Sequence, residues 1–131
     1  MITRAVGKYL KISPKKLSLI TRLISRKKVD EAIYMLTCLN KKGAKLVKSV
    51  VESARSNASR IPEKKFSEAD LYISKISVQM GPALKRFRAM SMGRAGTIRK
   101  RTSHVLVELD AETIQKAKAK TSKKRKVKTR K

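Results

Sequence analysis

Residues 81–104, GPALKRFRAMSMGRAGTIRKRTSH, hold seven Lys/Arg and no Asp or Glu. They are also short of large apolar side chains, so no protein core can be built from them. Any fold of this chain must carry the stretch outside its core, and something else must neutralise it. The whole chain has a formal net charge of +26 in 131 residues, which makes that partner a polyanion. Each phosphate met by Lys or Arg releases condensed counterions, and that entropy gain dominates nucleic-acid affinity. The stretch reads as a positively charged probe pushed into nucleic acid.

The length fits one domain, and an apolar fraction of 40% allows one modest core. Aromatic residues are few and Trp is absent, which argues against a single-strand binder built on stacking platforms. The one cysteine, Cys38, cannot form an internal disulfide, and its setting MLTCL reads as a small buried apolar residue. No apolar run approaches the roughly 20 residues of a membrane span, and no signal-peptide core opens the chain. A soluble, reducing compartment and no membrane partner are the expectation.

Residues 1–80 carry 18 Lys/Arg against 6 acids and still show regular periodicity. Residues 113–131, TIQKAKAKTSKKRKVKTRK, add ten Lys/Arg and no acid. Such a segment cannot bury enough surface to offset its chain entropy. The expectation is a single domain over 1–111 and a disordered polybasic tail over 112–131.

Residues 3–12 suit a short strand. Ser13-Pro14 then signals a helix start, with Ser as cap and Pro preset for the first turn. Leu17, Ile20, Leu23 and Ile24 follow as the inward stripe. A second helix runs from about Val29 to Leu39, with Ala32, Ile33, Leu36 and Leu39 inward and Asp30 and Glu31 at its positive end. Asn40 reads as the cap of a third helix reaching about Arg60, with Pro62 beyond it. Its buried stripe is Val47, Val50, Val51, Ala54 and Ala58.

From Leu71 the period changes to two. Leu71 and Ile73 give way to Ile76, Val78 and Met80 in the opposite phase, which predicts a bulge at Ser74-Lys75. Gly81-Pro82 reads as turn chemistry. Val105, Val107 and Leu109 mark a final strand. The arms, 71–84 and 97–110, pair antiparallel around a far end at 90–96, where Gly93 and Gly96 supply backbone freedom. The fold class is α+β: three helices packed on a small antiparallel sheet, with a long extended β-hairpin.

Enzyme chemistry finds no support. One Cys and one His cannot fill a tetrahedral metal site, so no metal or other cofactor is expected. No paired carboxylates, catalytic triad or Gly-rich nucleotide loop is present. His104, a lone His beside a strand, suits a structural hydrogen bond or an RNA contact. Asn57 suits a cap or an RNA hydrogen bond. Composition leaves open an architectural DNA binder that bends duplexes as a dimer, or a basic regulatory binder of another compartment.

A longer pattern goes further. ISPKK at 12–16, the LI-x-x-KKV-x-x-A run ending at Ala32, and ES-A-x-x-NA from Glu52 to Ala58 occur in order. GP-x-x-KR-F and then GRA-x-x-I-x-KRTSH span Gly81 to His104. On these residues the chain resembles, over about 4–110, the bacterial-type family of large-subunit ribosomal protein number twenty-two. The resemblance implies a structural component of the large subunit that binds its ribosomal RNA and assists assembly, with a hairpin lining the polypeptide exit tunnel. It implies neighbouring ribosomal proteins as partners, the nascent polypeptide at the hairpin tip, one copy per ribosome, and a place in cytoplasmic ribosomes of bacterial or organellar type.

Carried over, Lys85, Arg86, Arg88, Arg94, Arg99, Lys100 and Arg101 contact RNA along the hairpin, with His104 at its base. Ser13, Lys15 and Lys16 contact RNA from the body. The tunnel tip is Ala89-Met90-Ser91-Met92-Gly93. Its first four residues depart from the family's usual Pro-Arg-Ala-basic, so a rigidifying proline and two cations are missing. The tail after Ala111 inherits no role.

Overall fold

The computed structural model of the chain describes residues 2–61, 67 and 70–111. The expected tail and Pro62 fall outside them. Among the described residues, strand β1 (Thr3–Leu10) leads to helices α1 (Pro14–Ile24), α2 (Val29–Cys38) and α3 (Lys42–Ser59). Two long strands follow, β2 (Leu71–Ala89) and β3 (Ala95–Ala111). The sheet order is β1-β3-β2 and both pairings are antiparallel, which is the expected α+β arrangement.

One face of this sheet is apolar because its strands alternate. Ala5, Leu71, Ile73, Val105, Val107 and Leu109 are all buried on that face. The helices cover it with Leu17, Ile20 and Ile24 from α1, Val29, Ala32 and Leu36 from α2, and the Ala44–Val47–Val51–Ala54–Ala58 stripe of α3. Each fully buried branched side chain contributes about 1.5–3 kcal/mol relative to exposure. The pairing register slips between Ile73 and Lys75, at the predicted bulge. That extra residue keeps Ile76 and Val78 on the same face as Leu71 and Ile73, opposite Val107 and Val105.

Several expectations are corrected. Leu23 is 50% exposed, because Leu17, Ile20, Thr21 and Ile24 already complete the inward face of α1. Met80 is exposed as well, since the helices stop covering the sheet at Val78. Ser13 stands at the N-cap of α1, yet its side chain makes no capping bond; only its carbonyl accepts, from the backbone N–H groups of Lys16 and Leu17. Asn40 does not cap α3, whose N-cap is Lys41, one residue later. Gly81-Pro82 is no turn. The strand runs through it with a second register shift, between Met80 and Ala83.

Cys38 is exposed. It lies two residues past Leu36, about 200° round the helix from the buried stripe. A disulfide reagent such as Ellman's will therefore titrate the Cys38 thiol of the folded protein within minutes, without denaturant. A thiol released only on unfolding would restore the buried reading.

Gly43 decides how α3 meets α1. A Cβ there would stand 2.7 Å from Ile20 Cδ1 and 3.2 Å from Leu17 Cδ2, so any larger residue makes those two side-chain ends shift, and glycine leaves the start of α3 packed directly on them.

Candidate nucleic-acid interface

β2 and β3 stay paired far beyond the helices, from Ala83↔Arg101 to Ala89↔Ala95. A strand rises about 3.3 Å per residue, so this arm reaches roughly 25 Å from the body. From Pro82 to Arg101 every residue is exposed except the half-buried Gly96. The arms are longer than expected, and the turn is confined to Met90–Arg94, where the Met90 N–H donates to the Arg94 carbonyl at 2.8 Å. Met92 (φ 58°) and Gly93 (φ 67°) both take the left-handed conformation. That conformation costs a residue with a Cβ about 1–2 kcal/mol, and the Met92 side chain it presents is 92% exposed. Gly96 contributes space instead of a bend: a Cβ there would lie 2.6 Å from Cε of Met90.

Residues directly opposite in an antiparallel pair share a face. The register therefore puts Arg86, Arg88 and Lys100 on one face, with Leu84 and Ile98. Lys85, Arg99 and Arg101 share the other with Phe87. Lys85 stands directly opposite Arg99, a like-charge pairing that disfavours the hairpin by itself. Ion pairs occur in the body, at Lys27–Glu31 (2.6 Å), Lys48–Glu52 (3.8 Å) and Arg55–Asp30 (3.0 Å). Among the described residues, none of the seven hairpin cations has a carboxylate partner. The arm is cationic on both faces and uncompensated.

Its root is latched. Thr102 Oγ1 donates to the Pro82 carbonyl at 2.6 Å, and Ser103 Oγ donates to the Ile12 carbonyl. The Tyr9 backbone N–H donates to His104 Nδ1 at 3.0 Å, and the two rings meet edge-on at 4.8 Å. Tyr9 has φ 54°, at the register shift of β1 between Gly7 and Leu10. Thr102 thus fastens the two arms to each other, while Ser103 and His104 fasten β3 to the β1–α1 junction and to the end of β1. Asn57 Nδ2 donates to the Arg4 carbonyl at 3.4 Å, so it ties α3 to β1 instead of capping.

Among the body residues, Ser13 and Lys16 line a cleft together with Arg86, Arg99, Lys100 and Arg101. Lys15 is exposed on the first turn of α1 but does not line it, nor do Lys85, Arg88, Arg94 or His104. Lys11, Lys41 and Lys42 share the cleft and were missed from the sequence. The Lys41-Lys42 doublet before a helix was the available signal. Lysines stand at the N-termini of α1 and α3, with no acid in either first turn, where the helix dipole is already positive. Among the described residues no three His, Cys, Asp or Glu side chains gather as a metal site, and no helix is long and apolar enough to cross a membrane.

The comparison with protein families settles the class. Residues 5–110 match the model of ribosomal protein L22p/L17e. The chain belongs to that family. The large ribosomal subunit protein uL22 of Desulfotalea psychrophila is 44% identical over 110 residues, covering 84% of this chain and 98% of that relative. The uL22 proteins of Clostridioides difficile (107 residues, 82% and 95% coverage) and Thermus thermophilus (109 residues, 83% and 95%) are each 42% identical. The match runs through both arms of the hairpin, so the arm is part of what the family shares. The family is structural, not enzymatic.

Proposed function

We propose that this chain is a structural constituent of the large ribosomal subunit, binds large-subunit ribosomal RNA, and lines the polypeptide exit tunnel with its hairpin. The observation that carries the reading is the arm with uncompensated cations on both faces. A protein lying on one side of a duplex needs one charged face; an arm charged on two faces suits insertion between RNA segments, phosphates on either side. Lys85, Arg86, Arg88, Arg94, Arg99, Lys100 and Arg101 bind phosphates along the arm, Arg with bidentate geometry. Ser13, Lys15 and Lys16 bind from the body. His104 serves by holding the root. The tip, Ala89 to Gly93, lacks side-chain charge and faces the nascent chain. The protein acts as one copy among neighbouring ribosomal proteins, in the cytoplasm, as a single domain over 1–111 whose polybasic tail adds unspecific phosphate contacts.

The test is co-sedimentation. The expected result is one copy per large subunit by quantitative mass spectrometry, retained through a high-salt wash. Deleting 113–131 will flatten the dependence of log affinity on log salt without moving the RNA footprint. A dimer that bends any DNA duplex would overturn the reading, and a truncated chain that loses its RNA site would make the tail the specificity element.

A further inference from the structure

The root of the hairpin and α1 border an open cleft of about 1250 Å³, whose apolar wall the family resemblance does not account for. Its walls are aliphatic: Leu19 is 64% exposed, Leu23 50% and Leu84 48%, although the core is complete without them. Its rim is made by Lys11, Lys16, Lys41, Lys42, Arg86 and Lys100, and among the described residues no acid lines it. The N-terminus of α3, which has no side-chain cap, opens onto it at Lys42 and Gly43 and adds backbone N–H groups to the same positive field. We infer that this cleft receives an unstacked base of the ribosomal RNA, packed against Leu19, Leu23 and Leu84, while the flanking phosphates sit on the lysine rim.

This rests on the RNA-binding reading above and adds a specificity element to it. Charge selects the occupant. The chain's own 113–131 segment carries ten Lys/Arg and no acid, so it is repelled by the rim. A second copy, at +26, is repelled as well. What fits is a group with flat apolar faces and an anion on either side, and an extruded nucleotide has that form. The volume exceeds the 300 Å³ or so at the small end of ligand pockets, enough for one base and part of its neighbours. The chain has few aromatic residues, so the packing surface is aliphatic and the base is held by shape and desolvation. The remaining occupant, an acidic and apolar peptide from a neighbouring protein, becomes an outcome of the test.

Two double variants of the full chain separate the parts. Leu19→Gln/Leu23→Gln removes the apolar wall at half-exposed positions and leaves every charge. Lys41→Gln/Lys42→Gln removes rim cations and leaves the wall. Binding to a transcript of the cognate large-subunit RNA is measured against salt, and base reactivity is read by chemical probing. The leucine pair is expected to bind roughly five- to tenfold more weakly, with an unchanged salt slope and one newly reactive unpaired base. The lysine pair is expected to flatten the slope by about 1.5–2 while that base stays protected. A photoreactive benzophenone side chain at position 19, in reconstituted subunits, gives a readout independent of any folding defect in the glutamine variants. Crosslinking to a single nucleotide supports the proposal; crosslinking to a polypeptide overturns it. Unchanged affinity and footprint in the leucine pair overturn it alone, whereas an unaltered chain that ignores the transcript sinks the RNA-binding reading with it.

Discussion

Replacing Arg86, Arg88, Arg99 and Lys100 together by Gln is expected to weaken binding to large-subunit RNA about a hundredfold or more at physiological salt, and to flatten the salt slope by about 3. The isolated variant will melt no earlier than the unaltered chain, as circular dichroism will show. The two readouts move apart for a structural reason. These side chains are exposed and have no carboxylate partner among the described residues, so neutralising them costs the fold no ion pair, and only the exposed bond from Arg86 Nη1 to the Lys85 carbonyl (2.9 Å) goes with them. Arg99 faces Lys85 directly across the hairpin, so its neutralisation removes a repulsion. Unchanged RNA affinity would show that the arm is not the anchor. A fall in melting temperature would show that its charges support the fold by some contact other than an ion pair.

The second large effect lies in the core. Leu109 is fully buried on the central strand, opposite Thr3 of β1 and Ile73 of β2. Leu109→Ala leaves a cavity under the middle of the sheet, where β3 is flanked on both sides, which costs about 2–5 kcal/mol. A domain of this size holds only about 5–15 kcal/mol of stability in total. We expect the melting temperature to drop by roughly 10–20 °C, with loss of incorporation into subunits at growth temperature. A drop of only a few degrees would mean that α3 closes over the gap.

Elements governed by strong periodicity were legible in the sequence. The helical stripe of α3 and the alternation of β3 leave little choice about what is buried, and the phase slip at Ser74-Lys75 could only be a bulge if both halves of β2 were to face one core. Residues whose role depends on distant partners were not legible. Leu23 has helical spacing relative to Ile20, yet whether α1 buries a stripe that wide depends on what lies beside it. Cys38 looks apolar in its local run, but the helix turns it to solvent. Gly81-Pro82 has turn chemistry, yet the Thr102 hydroxyl takes up the Pro82 carbonyl and keeps the strand going. The candidate site divides in the same way. The seven hairpin cations announce themselves by composition. Lys11, before α1, and the Lys41-Lys42 pair, at the start of α3, come to one cleft only where α1 and α3 pack together beside Gly43.

β3 is unbroken from Ala95 to Ala111, so one strand serves as the middle of the body's sheet and as a full side of the arm. The register shift at the root, between Met80 and Ala83, falls on β2, while β3 crosses from body to arm without a break. The latch at Thr102, Ser103 and His104 stiffens the place where a joint would be. The molecule therefore works as a covalent ruler: the separation and angle between whatever the body grips and whatever the tip reaches are set by the chain before either is engaged.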